Sequence, residues 1–254
     1  MHMQNRDRVL KLTRRGFNFV LLAGAGEVIY REVRGSGMVK FTPIFVKPSQ
    51  VLNLAGWKIN LPAGNQQVAQ PQLSNFYNDA FRVVTAVQFT ATCGGEPQPG
   101  SNYARSELRE MNPDGSNASW STTAGSHVME VTQRITHLPV VKPQLISAQI
   151  HNMTDYLIMI ELDANRLYVR YKDVIAGVLD DDYQLGTFFD LRIRASAGVV
   201  DVFYNNNHKV HQAMAADTCY FKTGCYVQSS MQTGDLPTAY GQVEISSISI
   251  AHNY

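Results

Sequence analysis

The sequence predicts an all-β fold, a jelly-roll sandwich of two antiparallel sheets with a concave groove. From Val51 onward, apolar and polar residues alternate with a period of two, which is the spacing of a strand with one buried face. Clusters of turn-forming residues interrupt this alternation at regular intervals. Many short, evenly spaced strands in one domain are typical of a two-sheet sandwich.

Eight segments carry the strand pattern clearly. They are His127–Ile135, Gln144–His151, Tyr156–Glu161, Arg166–Tyr171, Phe189–Arg194, Val199–Tyr204, Cys219–Gln228 and Gln242–Ala251. The connections Asp163–Asn165 and Ser196–Gly198 are short enough to close hairpins, so we expect the strands that they join to be antiparallel. Helical signals are few, and Gln72–Asn78 is the one short helical turn that we expect.

Length and composition are compatible with one large domain at residues 49–254. Of the 254 residues, 44% are apolar and 17% are charged, which supplies ample material for a core. No run of about 18 apolar residues occurs, so we do not expect a membrane span. The net charge of +1 gives no global attraction to nucleic acid, and recognition of an anion must come from a local cluster.

Residues 1–48 are interpreted as an export leader and linker. Thr13–Phe17, with its twin arginine, precedes a short apolar stretch that ends in Ala23–Ala25. A basic region, an apolar core and an A-x-A site describe an export signal, and the twin arginine followed by phenylalanine resembles the twin-arginine class. The alternative is a basic first helix or strand that stays on the protein. We therefore expect a secreted or periplasmic protein.

Three cysteines leave an odd count. Cys219 and Cys225 lie six residues apart on one predicted strand, roughly 20 Å end to end, which is too far for a disulfide between them. Cys93 reaches one of them only if its loop crosses that strand. Buried free thiols and a single disulfide both remain open.

Three polar segments, far apart in the chain, carry reactive side chains at every second position. Side chains at i and i+2 of a strand project from the same face, roughly 6.6 Å apart. Arg105, Glu107 and Arg109 therefore share a face in the first segment. A surface strand with cross-strand ion pairs would show the same pattern. The functional alternative is that the arginine forks grip carboxylates, with Glu107 fixing their orientation.

The second segment places Gln149 and His151 on one face. A lone histidine is often only a satisfied core or surface residue. Its unperturbed pKa of about 6.5 nevertheless suits a general base near neutral pH. The amide of Gln149 is positioned to donate to a bound carboxylate.

The third segment, Tyr220–Gln228, is the most specific. Tyr220, Lys222, Gly224, Tyr226 and Gln228 line one face, and Phe221, Thr223, Cys225 and Val227 line the other. Apolar groups inward and polar groups outward indicate a strand at the floor of an open groove. We expect Gly224 to leave room for a ligand near the backbone. If the three segments adjoin on one sheet, their cations, imidazole, phenol and amides suit an acidic polymer.

Together these segments resemble the alginate lyases of polysaccharide lyase family seven. That family is marked by Arg-Ser/Thr-Glu-Leu, Gln-Ile/Val-His and Tyr-Phe-Lys-Ala-Gly-x-Tyr-x-Gln segments. They stand here in the expected order as Arg105–Arg109, Gln149–His151 and Tyr220–Gln228, after an opening strand at Trp57–Pro62. Thr223 and Cys225 replace the commoner alanine and valine.

The resemblance implies cleavage of alginate, an anionic polysaccharide, by metal-independent β-elimination without a cofactor. Arg105 and Gln149 would hold the substrate carboxylate, so that charge building up at C5 is neutralised. His151 would take the C5 proton on guluronate, and Tyr226 would protonate the leaving oxygen. On mannuronate, Tyr226 would serve both roles.

The remaining site residues follow from the same resemblance. Arg109, Lys222, Gln228 and Tyr220 would bind neighbouring sugars, and Glu107 would orient the arginines. Ile150 favours guluronate-containing blocks as substrate. A monomer with no nucleic-acid or membrane partner is the expectation.

Two other function classes fit parts of the pattern. A glycoside hydrolase needs two carboxylates flanking the bond, and Glu161–Asp163 is the nearest candidate. A non-catalytic binding module or lectin for acidic polysaccharide would keep the basic groove, but it has no use for a histidine and a tyrosine at reacting distance.

Overall fold

The computed structural model describes residues 19–21, 28–33 and 40–254, with side chains from residue 46 onward. The chain forms two compact units, Met1–Val46 and Lys47–Tyr254. The first unit contains an antiparallel sheet of three strands, which in order are β1 Phe19–Leu21, β2 Val28–Val33 and β3 Lys40–Phe45. The twin-arginine segment at Thr13–Phe17 lies outside the described residues, so the leader interpretation stays a prediction.

The second unit is built from strands and three single turns of 3-10 helix. The strands are β4 Trp57–Asn60, β5 Gln67–Val68, β6 Phe81–Val83, β7 Val87–Thr92, β8 Arg105–Glu110, β9 Ser126–His137, β10 Gln144–His151, β11 Tyr156–Asp163, β12 Arg166–Tyr171, β13 Val174–Asp180, β14 Phe189–Ser196, β15 Val199–Tyr204, β16 Asn207–Ala213, β17 Tyr220–Val227 and β18 Tyr240–Asn253. The helical turns are Pro48–Gln50, Gln72–Asn75 and Met231–Thr233. None of the described helices has the length and apolar run that a bilayer crossing needs.

The strands form two antiparallel sheets, which confirms the predicted fold class. The eight-stranded sheet has the order β13-β12-β11-β10-β17-β8-β4-β5, and the seven-stranded sheet has the order β16-β15-β14-β9-β18-β7-β6. Alternate residues of both sheets fill a single core between them, because side chains point to opposite faces of a strand in turn. Phe81, Phe89, Phe189 and Phe221 are its largest fully buried members.

All eight predicted strands are present, and the hairpins at Asp163–Asn165 and Ser196–Gly198 join antiparallel neighbours as expected. The predicted helical turn is shorter than expected, because Phe76 already has an extended backbone. Five strands of the two sheets, β5, β6, β7, β13 and β16, were not among the predicted segments. Of these, β13 and β16 form adjoining edges of the two sheets.

The three cysteines are buried free thiols, so no disulfide forms. Burial raises the pKa of the Cys93 thiol to about 11 and that of Cys219 to about 12. Thiols with such a pKa are protonated at neutral pH and are poor nucleophiles. Cys225 and Val227 belong to the core, as the alternation of β17 predicts.

A buried carboxylate, Glu110, links the two sheets. Its Oε2 accepts hydrogen bonds from the Trp120 Nε1 at 3.0 Å and from the backbone N–H of Phe221 at 2.7 Å. Its Oε1 lies 2.7 Å from the Nε2 of His252 on β18. Glu110 therefore ties the end of β8 both to its neighbour β17 and to the last strand of the opposite sheet.

The link continues through a pair of imidazoles. The Nδ1 atoms of His252 and His127 lie 2.8 Å apart, and the Nε2 of His127 lies 2.8 Å from the carbonyl oxygen of Ala124. The carboxylate of Glu110 at one end of this row and the carbonyl of Ala124 at the other are both acceptors. The three hydrogen bonds between them therefore need three hydrogens, one more than two neutral imidazoles carry. The row of Glu110, His252 and His127 is therefore held together by one extra hydrogen. Burial lowers the pKa of His127.

Candidate active site

The three polar segments adjoin in the middle of the eight-stranded sheet, in the order β10-β17-β8. Across β10 and β17, His151 lies opposite Tyr220. Across β17 and β8, Tyr226 lies opposite Arg105. The groups that the sequence analysis placed in one site thus share one sheet and its outer face. His151 and Tyr226 on opposite sheets would have contradicted that analysis.

Glu107 is the centre of this site. Its carboxylate is fully buried and accepts hydrogen bonds from the Arg105 Nη1, at 3.1 Å, and from the Gln149 amide. It also forms an ion pair with the Lys222 Nζ at 2.5 Å. Burial alone would raise the pKa of Glu107, but Lys222, Arg105 and Gln149 outweigh it and hold that pKa below its usual range. One carboxylate therefore fixes the two cations and the amide expected to meet substrate.

The site carries a surplus of positive charge. Glu107 neutralises only one of the two cations that it contacts, and both Arg105 and Lys222 are buried. Burial lowers the pKa of Lys222 from its usual 10.5 to about 8, although Glu107 opposes this shift. A buried surplus cation is costly unless an anion approaches it. The site therefore favours binding of a carboxylate.

Tyr226 packs on Arg105 and shares a hydroxyl partner with it. The guanidinium of Arg105 lies 3.7 Å from the centre of the Tyr226 ring. The Oγ of Ser101 lies 2.9 Å from the Tyr226 hydroxyl and 2.6 Å from the Arg105 Nη2. Ser101 is a site residue that the sequence analysis missed, because it belongs to the loop before β8, where no periodicity places a side chain.

His151 is held in the tautomer that a base requires. Its Nδ1 lies 2.6 Å from the carbonyl oxygen of Asn152, which can only accept, so Nδ1 carries the hydrogen and Nε2 keeps a free lone pair. The Tyr220 hydroxyl lies 3.1 Å from the same Nδ1, and the two rings stack at 5.4 Å. Burial lowers the pKa of His151, although the Asn152 carbonyl opposes the shift. The imidazole is therefore neutral near pH 7.

Arg109 and Gln228 lie at the margins of this cluster. The Arg109 guanidinium sits 3.9 Å from the centre of the Tyr220 ring and donates to the Glu110 carbonyl oxygen at 2.7 Å. Glu107 therefore orients Arg105 but not Arg109, which corrects the expectation that it orients both arginines. Gln228 follows the end of β17, and its amide donates to the adjacent Val227 carbonyl.

Gly224 has a different role from the one expected. Its φ is 137°, a conformation that L side chains rarely adopt, and β17 carries one extra residue here relative to β10. A Cβ at this position would lie 2.6 Å from the carbonyl oxygen of Ser106 and 2.9 Å from the Cα of Glu107. The glycine therefore admits strand β8, rather than a ligand, close to its backbone.

Strand β4 adds two polar residues to the same face. Lys58 lies opposite Arg109, and Asn60 lies opposite Glu107. The Oδ1 of Asn60 is buried without a hydrogen-bond partner, which leaves an acceptor beside the central carboxylate. The sequence analysis named this segment only as an opening strand, so both residues were missed as site candidates.

The carboxylates required for glycoside hydrolysis are not in place. Glu161 is bound by Arg170 at 2.7 Å and by the Tyr168 hydroxyl at 2.7 Å. Both of its oxygens are engaged by these partners, so Glu161 is not placed to protonate a leaving oxygen. The described part of this face therefore favours the elimination chemistry over hydrolysis.

Comparisons with known proteins agree with this site. The family model described as Alginate lyase matches residues 52–252. Alginate lyase AlgAT5 from polysaccharide lyase family 7 is 42% identical, with a TM-score of 0.81 over 82% of this chain and 100% of that chain. The alginate lyase from Corynebacterium sp. is 35% identical, with a TM-score of 0.79 over 82% and 99%. A variant of family 7 alginate lyase A1-II′ in complex with a product, GGG, is 26% identical, with a TM-score of 0.71 over 81% and 99%. No curated protein matches the chain.

Proposed function

The chain belongs to the alginate lyase family, polysaccharide lyase family 7, and from this premise we propose that Arg105, Gln149, His151 and Tyr226 carry its β-elimination of alginate. The observation that supports these roles is that Arg105 and Gln149 both bind the buried carboxylate of Glu107, while His151 and Tyr226 lie on the same face of the sheet. We propose further that guluronate-containing blocks are the preferred substrate.

The first step is neutralisation of the uronate carboxylate. The C5 proton is only weakly acidic while that carboxylate is charged, because a second negative charge would develop beside the first. Arg105 and Gln149, already fixed by Glu107, meet the developing charge with donors that need no reorganisation. Lys222 is buried and paired with Glu107, so it adds a positive charge to the site.

Proton transfer then divides between His151 and Tyr226. The free Nε2 lone pair of His151 accepts the C5 proton of guluronate, and the Tyr226 hydroxyl gives its proton to the 4-linked oxygen as that bond breaks. The guanidinium over the Tyr226 ring stabilises the phenolate that results. On mannuronate, where the proton and the leaving group lie on the same side, Tyr226 serves both roles.

Neighbouring sugars meet the margins of the face. Arg109, Tyr220 and Gln228 flank the central cluster and would bind the adjoining uronates, with Lys222 adding its charge. A related family 7 alginate lyase has been crystallised with a substrate described as GGMG, which supports binding of a mixed oligomer across such a face. Ile150 lies in the core, so any influence on block preference passes through the positions of its neighbours Gln149 and His151.

The test is the rate at which the unsaturated product appears in the ultraviolet. His151→Ala is expected to abolish turnover of polyguluronate while binding of the polymer is largely retained, because the carboxylate donors remain. His137→Ala, on the seven-stranded sheet, is the matched control and should keep the wild-type rate. Wild-type rates for His151→Ala on polyguluronate would remove this histidine from the role of base. Binding of alginate by the wild type without any product would instead indicate a non-catalytic module.

We propose that residues 1–48 direct export and that the enzyme acts as a monomer outside the cytoplasm. The twin arginine at Arg14-Arg15 supports the first point. The second is supported because all the proposed catalytic groups come from one chain. If the leader directs export, an Arg14→Lys/Arg15→Lys variant should stay in the cytoplasm while the wild type is exported. Size-exclusion chromatography with light scattering tests whether the enzyme is a monomer.

A further inference from the structure

Three potential metal ligands converge on the seven-stranded sheet, away from the site described above. The Oδ1 of Asp201 lies 2.9 Å from the Nε2 of His208 and 2.7 Å from the Nδ1 of His211. All three atoms lie within 4.8 Å of one another, in the described part of the chain. Val200 and Val202 belong to the core, so the intervening Asp201 faces outward.

An irregularity in the edge strand brings the two histidines together. His208 and His211 are three residues apart, and in a regular strand they would face opposite sides. In the pairing of β15 with β16, Val202 lies opposite Val210 and Phe203 lies opposite His208, so Lys209 is an extra residue. The bulge turns both imidazoles to the face of Asp201. Because of this bulge, a regular alternation along the sequence does not place the two histidines on one face.

The carboxylate is held for ligation by an outer partner. The Nη2 of Arg194 binds the Oδ2 of Asp201 at 2.6 Å, which leaves Oδ1 directed at the imidazoles. Partners of this kind orient the ligands of metal sites in proteins. The side chains of His208 and His211 are 48% and 67% exposed, so an ion can reach them and water can complete its coordination.

We propose that Asp201, His208 and His211 bind one divalent transition-metal ion of the Zn²⁺ class. Two imidazoles and a carboxylate with an open position are a ligand set that Zn²⁺ accepts. Tetrahedral Zn²⁺ with bonds of about 2.0–2.1 Å places its ligand atoms about 3.3 Å apart, so the distances from the Asp201 Oδ1 to the two imidazoles must lengthen by a few tenths of an ångström. Each imidazole then carries its hydrogen on the nitrogen that does not bind the ion. The ion would fasten the edge strand β16 to β15.

Isothermal titration of metal-free, full-length protein with Zn²⁺ tests the site directly. The wild type is expected to bind one ion per chain. His208→Gln and His211→Gln are each expected to weaken binding by about tenfold or more, and the double variant should abolish it. These exposed positions are chosen because their loss leaves the fold intact. His137→Gln is the control and should bind as the wild type does.

A thermal readout separates this site from the His127–His252 pair. Zn²⁺ should raise the Tm of the wild type but not of the His208→Gln/His211→Gln variant, because an ion that binds only the folded state stabilises it. Absence of saturable binding would overturn the proposal. Binding that survives the double substitution but disappears in His252→Gln would also overturn it, by placing the ion at the His127–His252 pair.

Discussion

At the scale of single residues, one buried carboxylate determines the geometry of the active site. Glu107 holds Arg105, Lys222 and Gln149 together, so the donors for the substrate carboxylate are set before substrate arrives. Preorganised donors of this kind act without a reorganisation cost during the reaction. Substitution of a residue that positions these donors should therefore affect the rate, as substitution of a residue that contacts the sugar does.

Ser101 gives the most specific residue-level prediction. Its hydroxyl lies between the Tyr226 hydroxyl and Arg105, where it can accept a hydrogen bond from the phenol and later donate one to the phenolate. Ser101→Ala is expected to lower kcat by about tenfold, the equivalent of a net hydrogen bond, with little change in KM. Ser121→Ala is a control on a loop away from the site. An unchanged kcat would mean that Arg105 alone positions Tyr226.

The pH dependence of the rate should reflect the titration of two site residues, His151 and Lys222. His151 must be neutral to act as a base, and its lowered pKa places the acid limb below pH 6.5. Lys222 loses its proton as the pH rises through about 8, and the surplus positive charge around Glu107 is then lost. We therefore expect kcat/KM to fall on the alkaline side near that pH.

The Lys222→Arg variant separates this cause from others. A guanidinium stays charged throughout the range, so the alkaline limb should move to higher pH. Circular dichroism would check that the larger side chain leaves the fold intact, and Lys47→Arg is the control. An alkaline limb that stays in place in Lys222→Arg would assign it to a different group.

At the scale of elements, the last strand of the protein supports the catalytic strands from behind. Glu110 on β8 accepts from β17, from Trp120 and from His252 on β18. Glu110→Gln removes the charge and replaces one acceptor oxygen with an amide donor, so either the His252 Nε2 or the N–H groups of Trp120 and Phe221 lose their acceptor. We expect unfolding free energy to fall by roughly 1–3 kcal/mol in urea denaturation. Glu130→Gln, at an exposed position on β9, should change it little.

Strands could be predicted wherever a regular alternation survives. Most of the eight predicted segments alternate, and so do the three that carry the site, whereas Tyr156–Glu161 is a nearly continuous apolar run. Strand β16 was not predicted because its bulge at Lys209 breaks the period of two. Strand β13 was not predicted because Ala176 and Gly177 interrupt its apolar face. The contacts of Glu107 could be predicted only as a shared face, since the alternation says nothing about which strands are neighbours. Ser101 and Asn60 needed the tertiary structure.

At the scale of the whole molecule, catalysis is expected to reside entirely in the second unit. Every proposed site residue lies in Lys47–Tyr254, which forms a compact unit with its own core. A chain starting at Lys47 should therefore keep its Tm, and its kcat/KM on alginate should stay within about twofold of the full chain. Calorimetry and the ultraviolet assay on both chains in parallel would check this. A large loss of activity with an unchanged Tm would assign part of the site to the first unit.

The unbalanced cation at Glu107 also has a consequence for the resting enzyme. Between turnovers, a small anion from solution is expected to sit where the uronate group will bind, since the local field attracts any counter-ion of suitable size. The enzyme is then a weak receptor for simple carboxylates, and each turnover begins with their displacement. Acetate or formate buffers would act as mild competitive inhibitors, so rates measured in them would understate those in a zwitterionic sulfonate buffer.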